Sequence, residues 1–296
     1  MSLIERMPKK GSDKKRASCR ASHAEDVKDA LAPAVSATTE GGLPRSTTNR
    51  EIVIRDDMLK AAQMLPPRED REMLNDDFNH VRRSLVANAT GRNGVHVEDG
   101  NLIAVTSAMP GEGKTFSSIQ LAFSVVRDQD MAALLVDADL AKCDLSSVFG
   151  AENELGLTDL LSDPLLSPAD ILMPTSVPNL WFLPAGTKRR AWSDLLSTCA
   201  MEELLSTLGA FGTNVITICD TGPSLVAREA ALISSYCGQV LMVVKAGKTL
   251  RDTVMDALDI VDTDQNKAIS LVLNEADAVP YPAYGLANTE RMDEHQ

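Results

Sequence analysis

The stretch Asn101–Leu121, NLIAVTSAMPGEGKTFSSIQL, decides the fold. Leu102 to Thr106 is a short apolar and β-branched run, Met109 to Gly113 is a turn rich in glycine and proline, and the composition from Lys114 onward is helical. The order reads as strand, loop, helix. Within it, Ala108-Met109-Pro110-Gly111-Glu112-Gly113-Lys114-Thr115 fits G-x-x-x-x-G-K-[ST], the loop that cradles phosphates, with alanine in place of the first glycine. Gly111 and Gly113 take positive φ at little steric cost, so backbone N–H groups can curl round an anion. Lys114, expected to be exposed as a loop lysine, reaches the β- and γ-phosphates; the Thr115 hydroxyl ligates Mg²⁺, and the following helix aims its positive end at the phosphates. A chance glycine-rich turn is the bland alternative, and the correct strand and helix on either side argue against it. Alone, the loop specifies a nucleotide and nothing finer.

Outward from this loop, 296 residues hold one large or two small domains, and 44% hydrophobic residues suffice for a core. No apolar run approaches the roughly 18 residues needed to span a bilayer, and MSLIERMPKK lacks a secretory apolar core. A cytoplasmic protein is expected. Cys19, Cys143, Cys199, Cys219 and Cys237 form no CxxC pair, which excludes a zinc ribbon or disulfide framework and leaves reduced thiols. The net charge is −13, yet residues 1–20 carry Arg6, Lys9, Lys10, Lys14, Lys15, Arg16 and Arg20 against Glu5 and Asp13, a local +5 that leaves −18 for the rest. An acidic body argues against nucleic-acid binding, whereas the basic end suits an acidic partner or an anionic membrane surface, or is a solvated tail.

Taken in order, residues 1–50 are polar and aperiodic and are expected to be disordered, with Ile4 and Met7 on one face of a short helix at most. Residues 51–100 form a helical arm and linker: apolar spacing predicts one helix from Glu51 to Leu65, stopped by Pro66-Pro67, and a second from Glu69 to Ala89. Residues 101–276 alternate strand and helix. Strands are expected at Leu102–Thr106, Ala132–Val136, Leu180–Leu183, Val215–Cys219, Val240–Val244 and Ile269–Leu273, with helices at 114–127, 191–209, 224–235 and 249–262. The fold class is therefore α/β, a P-loop NTPase with a mainly parallel sheet covered by helices on both faces. Residues 277–296 are a flexible tail holding Tyr281 and Tyr284.

In such sheets ligands sit beyond the carboxyl ends of the strands, and three acids occur there. Asp137 and Asp139 follow the strand ALLV; Asp220 follows VITIC. Any one of them is an ordinary cap or turn residue. Together with the loop they suit Mg²⁺, which takes hard oxygen ligands from one or two carboxylates, a hydroxyl, water and phosphate. Asp220 occupies the Walker B position, while Asp137 is placed to orient or deprotonate an attacking hydroxyl or to share the metal. The expected metal ligands are Thr115, Asp137 and Asp220, and the expected nucleotide contacts are Ala108, Pro110, Gly111, Glu112, Gly113, Lys114, Thr115 and Phe116.

These motifs in this order, AMPGEGKT at 108–115, LLVDADL at 134–140, ICDTGP at 218–223 and VLNEAD at 272–277, resemble the bacterial tyrosine autokinases of exopolysaccharide synthesis, specifically the cytoplasmic, exosortase-associated type. MSLIERM, DDFNHVRRSLVANA at 76–89, NLWFLPAG at 179–186 and GQVLMVVKAGKT at 238–249 also look like that family. The resemblance implies Lys114 and Thr115 on phosphates and metal, Asp137 as base, Asp139 and Asp220 around Mg²⁺, and Asn274 approaching the adenine of ATP. It also implies a partner, the cytoplasmic part of a membrane polysaccharide co-polymerase or chain-length regulator, with the kinase held peripherally at the inner membrane. Four features depart from the pattern. Ala141 stands where the family has arginine, with Lys142 beside it, and Gly222 replaces a proline of DTPP. The ring-assembly pattern E-x-x-R-x-x-R appears as Asp76, Asn79 and Arg82, and the tail has only Tyr281 and Tyr284 as phosphosites. The competing function is a kinase-inactive ATPase switch of the partition and division-site type. That type carries a second lysine early in the loop, where Ala108, Met109 and Pro110 stand here.

Overall fold

The computed structural model describes residues 3–6, 43, 50–92, 94, 96–188, 196, 199–262 and 267–276. Eight strands form one sheet in the order β1-β8-β7-β2-β6-β3-β5-β4. They are β1 (Leu3–Arg6), β2 (Leu102–Ser107), β3 (Ala132–Asp137), β4 (Met173–Pro174), β5 (Leu180–Leu183), β6 (Val215–Asp220), β7 (Gln239–Lys245) and β8 (Ala268–Asn274). The six strands expected from sequence pair in parallel, and the two that were not expected, β1 and β4, close the edges antiparallel to β8 and β5. The central β2 is buried along its whole length, which is why LIAVTS reads as a continuous apolar and small run rather than an alternating one.

The helices are α1 (Asp56–Ala61), α2 (Arg71–Thr90), α3 (Lys114–Val126), α4 (Asp144–Val148), α5 (Leu157–Leu160), α6 (Pro168–Ile171), α7 (Cys199–Gly209), α8 (Arg228–Tyr236) and α9 (Arg251–Val261). Strand alternation sorts them to two faces. Ile103 and Val105 turn to a core shared with α2 and α3, while Leu102 and Ala104 turn to one shared with α7 and α8. In α2, Phe78, Val81, Leu85, Val86 and Ala89 recur at helical spacing and sit in the first of these cores. The helix ends at Gly91, whose φ of 68° is the left-handed geometry that stops an α-helix at little cost in glycine. A third cluster packs α9, through Val254, Ala257 and Val261, on Val240 and Met242. Among the described residues no helix is long and apolar enough to cross a membrane.

Three expectations change. Disorder over 1–50 does not hold for Leu3–Arg6, which pairs with β8 in the register Leu3 to Val272 and Arg6 to Ile269; strand addition there also overturns the short helix proposed for Ile4. The helix expected over 51–65 is confined to α1, because Ile52 bridges to Thr175 and its amide donates to the Pro174 carbonyl at 2.9 Å, which holds the chain extended. Most of 191–198 and all of 277–296 lie outside the described residues, Tyr281 and Tyr284 among them.

Candidate active site

The phosphate loop leaves β2 at Ser107 and enters α3 at Lys114. Gly111 and Gly113 have φ of 79° and 93°, so both glycines are needed for backbone shape. A Cβ at Gly113 would also collide with the Asn274 amide. Ala108 has ordinary φ and buries its methyl in the α9 core, which explains why glycine is dispensable there. Neighbouring strand ends brace the loop: the Ser224 amide donates to the Ser107 carbonyl at 2.7 Å and Thr106 Oγ1 donates to the Gly222 carbonyl at 2.8 Å. Met109, Pro110, Gly111 and Glu112 line one wall of a cleft of about 390 Å³, with Lys245, Lys248 and Thr249 opposite.

Lys114 is not an exposed loop lysine. It is 6% exposed, and its Nζ donates to Asp139 Oδ2 at 2.9 Å. Burial works to lower its pKa, but Asp220 and Asp139 outweigh burial and hold the ammonium more firmly charged than usual. Asp139 is thus the resting partner of the lysine.

Asp137 and Asp220 close adjacent parallel strands and are register partners. Asp137 Oδ2 accepts the Ser146 amide at 2.7 Å and the Ser146 hydroxyl at 2.6 Å, whereas its Oδ1 is buried with no partner. Asp220 Oδ1 accepts the Ser118 hydroxyl at 3.0 Å, and its Oδ2 is likewise buried and unpartnered. Burial pushes the Asp137 carboxyl up to about 7 against the pull of the Ser146 hydrogen bonds. Burial also lifts Asp220 to about 6, opposed by Lys114 and by the Thr115 and Ser118 hydroxyls. Two side-by-side carboxylates, each with one unused oxygen, next to a buried threonine hydroxyl, are a donor set suited to Mg²⁺. No group of three or more His, Cys, Asp or Glu placed to hold a metal ion occurs among the described residues.

Lys114 pairs with Asp139, Asp137 and Asp220 are register partners, and Lys114 and Thr115 lie close enough to Asp220 to act on its carboxyl. Two of the expected nucleotide contacts also have side-chain partners within the chain. The Phe116 side chain packs into the α2–α3 core, edge-on to Phe78 at 6.4 Å between centroids, so only its backbone is available to a phosphate. Asn274 Nδ2 donates to the Glu112 carbonyl at 2.9 Å, so its amide braces the loop. Ser118 and Ser146 were missed. Ser118 lies one turn after Lys114 on the same helix face and was recoverable from spacing; nothing in the sequence marks Ser146. In α2, Asn79 accepts the Ser124 hydroxyl at 3.1 Å and Arg82 pairs with Asp128 at 3.3 Å, so two positions of the ring-assembly pattern bond within the chain.

A mainly parallel sheet carrying a glycine-lysine-threonine phosphate loop after its central strand, with acids ending the next strand and the next but one, defines a P-loop NTPase. No protein-family model matches the sequence. The chain is a homologue of the bacterial tyrosine kinases. It is 29% identical over 191 residues to the tyrosine-protein kinase CpsD of Streptococcus agalactiae, covering 64% of this chain and 82% of that one. Identity to the tyrosine-protein kinase YwqD of Bacillus subtilis is also 29%, over 64% of this chain and 78% of the relative. Among solved structures, the VpsO kinase domain superposes with a TM-score of 0.56 at 26% identity, over 71% of this chain and all of that domain.

Proposed function

We propose that the chain is an ATP-dependent protein-tyrosine autokinase that regulates exopolysaccharide synthesis or export. The observation that carries this reading is the pair of unpartnered buried oxygens, Asp137 Oδ1 and Asp220 Oδ2, beside a phosphate loop already in its anion-binding shape. Thr115, Asp137 and Asp220 would hold Mg²⁺, which supplies charge neutralisation at the phosphates when bound. Loop amides and Lys114 hold the β- and γ-phosphates, and Lys114 exchanges Asp139 for phosphate oxygen as ATP enters. A tyrosine hydroxyl then attacks the γ-phosphorus, the bond to the β–γ bridging oxygen breaks, ADP leaves, and the phenolic proton passes to Asp137.

Tyr281 and Tyr284 are the proposed acceptors. The rest of the basic segment, Lys9 to Arg20, is the proposed contact with the cytoplasmic part of a membrane co-polymerase, since it is opposite in charge to the body. The absence of a second lysine at 108–110, where the partition-type switch carries one, disfavours the ATPase-switch reading. Incubating the purified chain with γ-labelled ATP separates the two. Label on Tyr281 or Tyr284 by mass spectrometry is the expected result; release of free phosphate with neither tyrosine modified would favour the switch.

A further inference from the structure

Glu112 sits in the middle of the phosphate loop, yet its side chain turns away from the anion cradle. The residue is 2% exposed. Its Oε2 accepts the Met109 amide at 2.6 Å, which closes the loop on itself. Oε1 accepts the Thr249 hydroxyl, in the turn between β7 and α9, and, at 3.4 Å, the amide of Lys245, the last residue of β7. The Glu112 carbonyl accepts Asn274 Nδ2 from the end of β8. One residue is therefore held at both ends, by two different strand termini.

These donors are amides and a hydroxyl, none with a full positive charge. A carboxylate so close to the phosphate site raises the cost of bringing in a polyanion. Its compensation is strength: charged acceptors bind N–H and O–H donors about twice as strongly as neutral ones. The loop needs that strength, because Pro110 aside, the segment Met109–Gly113 contains two glycines at positive φ and little side-chain packing of its own. We propose that Glu112 is a positioning residue whose carboxylate clamps the phosphate loop in its anion-binding shape before nucleotide arrives, with Thr249 as its anchor on the β7–α9 turn. The loop then loses little conformational freedom on binding, and the gain appears in affinity more than in the chemical step.

The clamp is tested on the nucleotide-free full chain by hydrogen exchange, and separately by ATP kinetics, which alone rest on the kinase reading. In Glu112→Ala the Met109 and Lys245 amides should exchange about tenfold faster, with amides inside β2 and α3 unchanged. Glu112→Gln should restore most of the protection, and Thr249→Val should give part of the loss but add nothing in the Glu112→Ala background. In kinetics, Glu112→Ala should raise the KM for ATP about tenfold and leave kcat within about threefold. Unchanged Met109 exchange, acceleration spread evenly over the chain, or an additive Thr249→Val effect would overturn the clamp. If Glu112→Ala does not fold, Thr249→Val, which removes a single hydroxyl, carries the same readout. A wild-type chain that shows the exchange pattern but never turns over ATP would sink the kinase reading and leave the clamp standing.

Discussion

At the phosphate loop the surrounding polar groups are already bonded: Glu112 at both ends, Lys114 to Asp139, and Asn274 to the loop backbone. Beneath it, Asp137 and Asp220 each keep one buried oxygen without a partner. Both regions lie at the carboxyl edge of the same sheet, and under the proposed function both would serve the same nucleotide. The loop is finished by the chain itself, so its shape belongs to the apo protein. The acid pair keeps two buried oxygens without a partner, which under the proposed function a cation bound with phosphate would compensate. Shape is encoded in the fold, whereas charge balance is deferred to the ligand.

The largest effect should come from breaking the finished half at its one catalytic contact. Lys114→Met is expected to lower ATP turnover about a thousandfold, measured by phosphate release. Because Lys114 is buried against Asp139, the same change should cost about 1–3 kcal/mol of stability in urea unfolding. Adding Asp139→Asn should recover part of that stability and none of the activity; full recovery of turnover would contradict the assignment. The incomplete half should respond in the opposite sense. Asp220→Asn is expected to cut turnover at least about a hundredfold, yet raise the Tm of the nucleotide-free chain by about 2–4 °C, since an amide removes an under-compensated buried charge. A lower Tm would mean that the carboxylate is better satisfied than its geometry shows.

A smaller effect is expected at Gly222, beside the acid pair. A Cβ there would lie 2.7 Å from the Ala227 Cβ, so Gly222→Ala should cost about 1–3 kcal/mol and Ala227→Gly in the same chain should restore it. The smallest effect is on pH dependence. Asp137 and Asp220 titrate in the fold at about 7 and about 6, against 3.8 for the free group. A carboxyl whose pKa is raised by folding binds its proton more tightly in the native state. Its stabilisation is complete below about pH 4 and is lost as pH rises through the folded value. The Tm of the nucleotide-free wild type should therefore decline more steeply between pH 4 and pH 7 than that of Asp220→Asn. Parallel curves would remove Asp220 from the account.

The sheet and its site were legible to different depths. Strands such as VITICD and QVLMVV are largely apolar because they are buried along their length, and that pattern located the parallel core and the acids at its carboxyl edge. What stayed hidden depends on partners distant in sequence. The Asn274 contact with Glu112 and the Thr249 contact with the same residue join segments more than a hundred residues apart, with no local periodicity to announce them. Burial of Lys114 was misread for the same reason, since loop composition says nothing of an acid on the next strand but one. Phe116 was read as part of a contiguous motif, although helix geometry turns its ring toward Phe78.

The pairing of β1 with β8 has a consequence for how the protein is made. Leu3 meets Val272, so β1 must wait for a strand made more than two hundred residues later before it can bond there. Until then the growing sheet ends at β7, and once β8 has joined, its outer side is an open ladder of unpaired amides and carbonyls. Completing the sheet at that edge is therefore a long-range closure, a slow kind of contact for a chain to form. Errors of assembly are to be expected at that edge, where the β1 of a neighbouring nascent chain offers the same four residues.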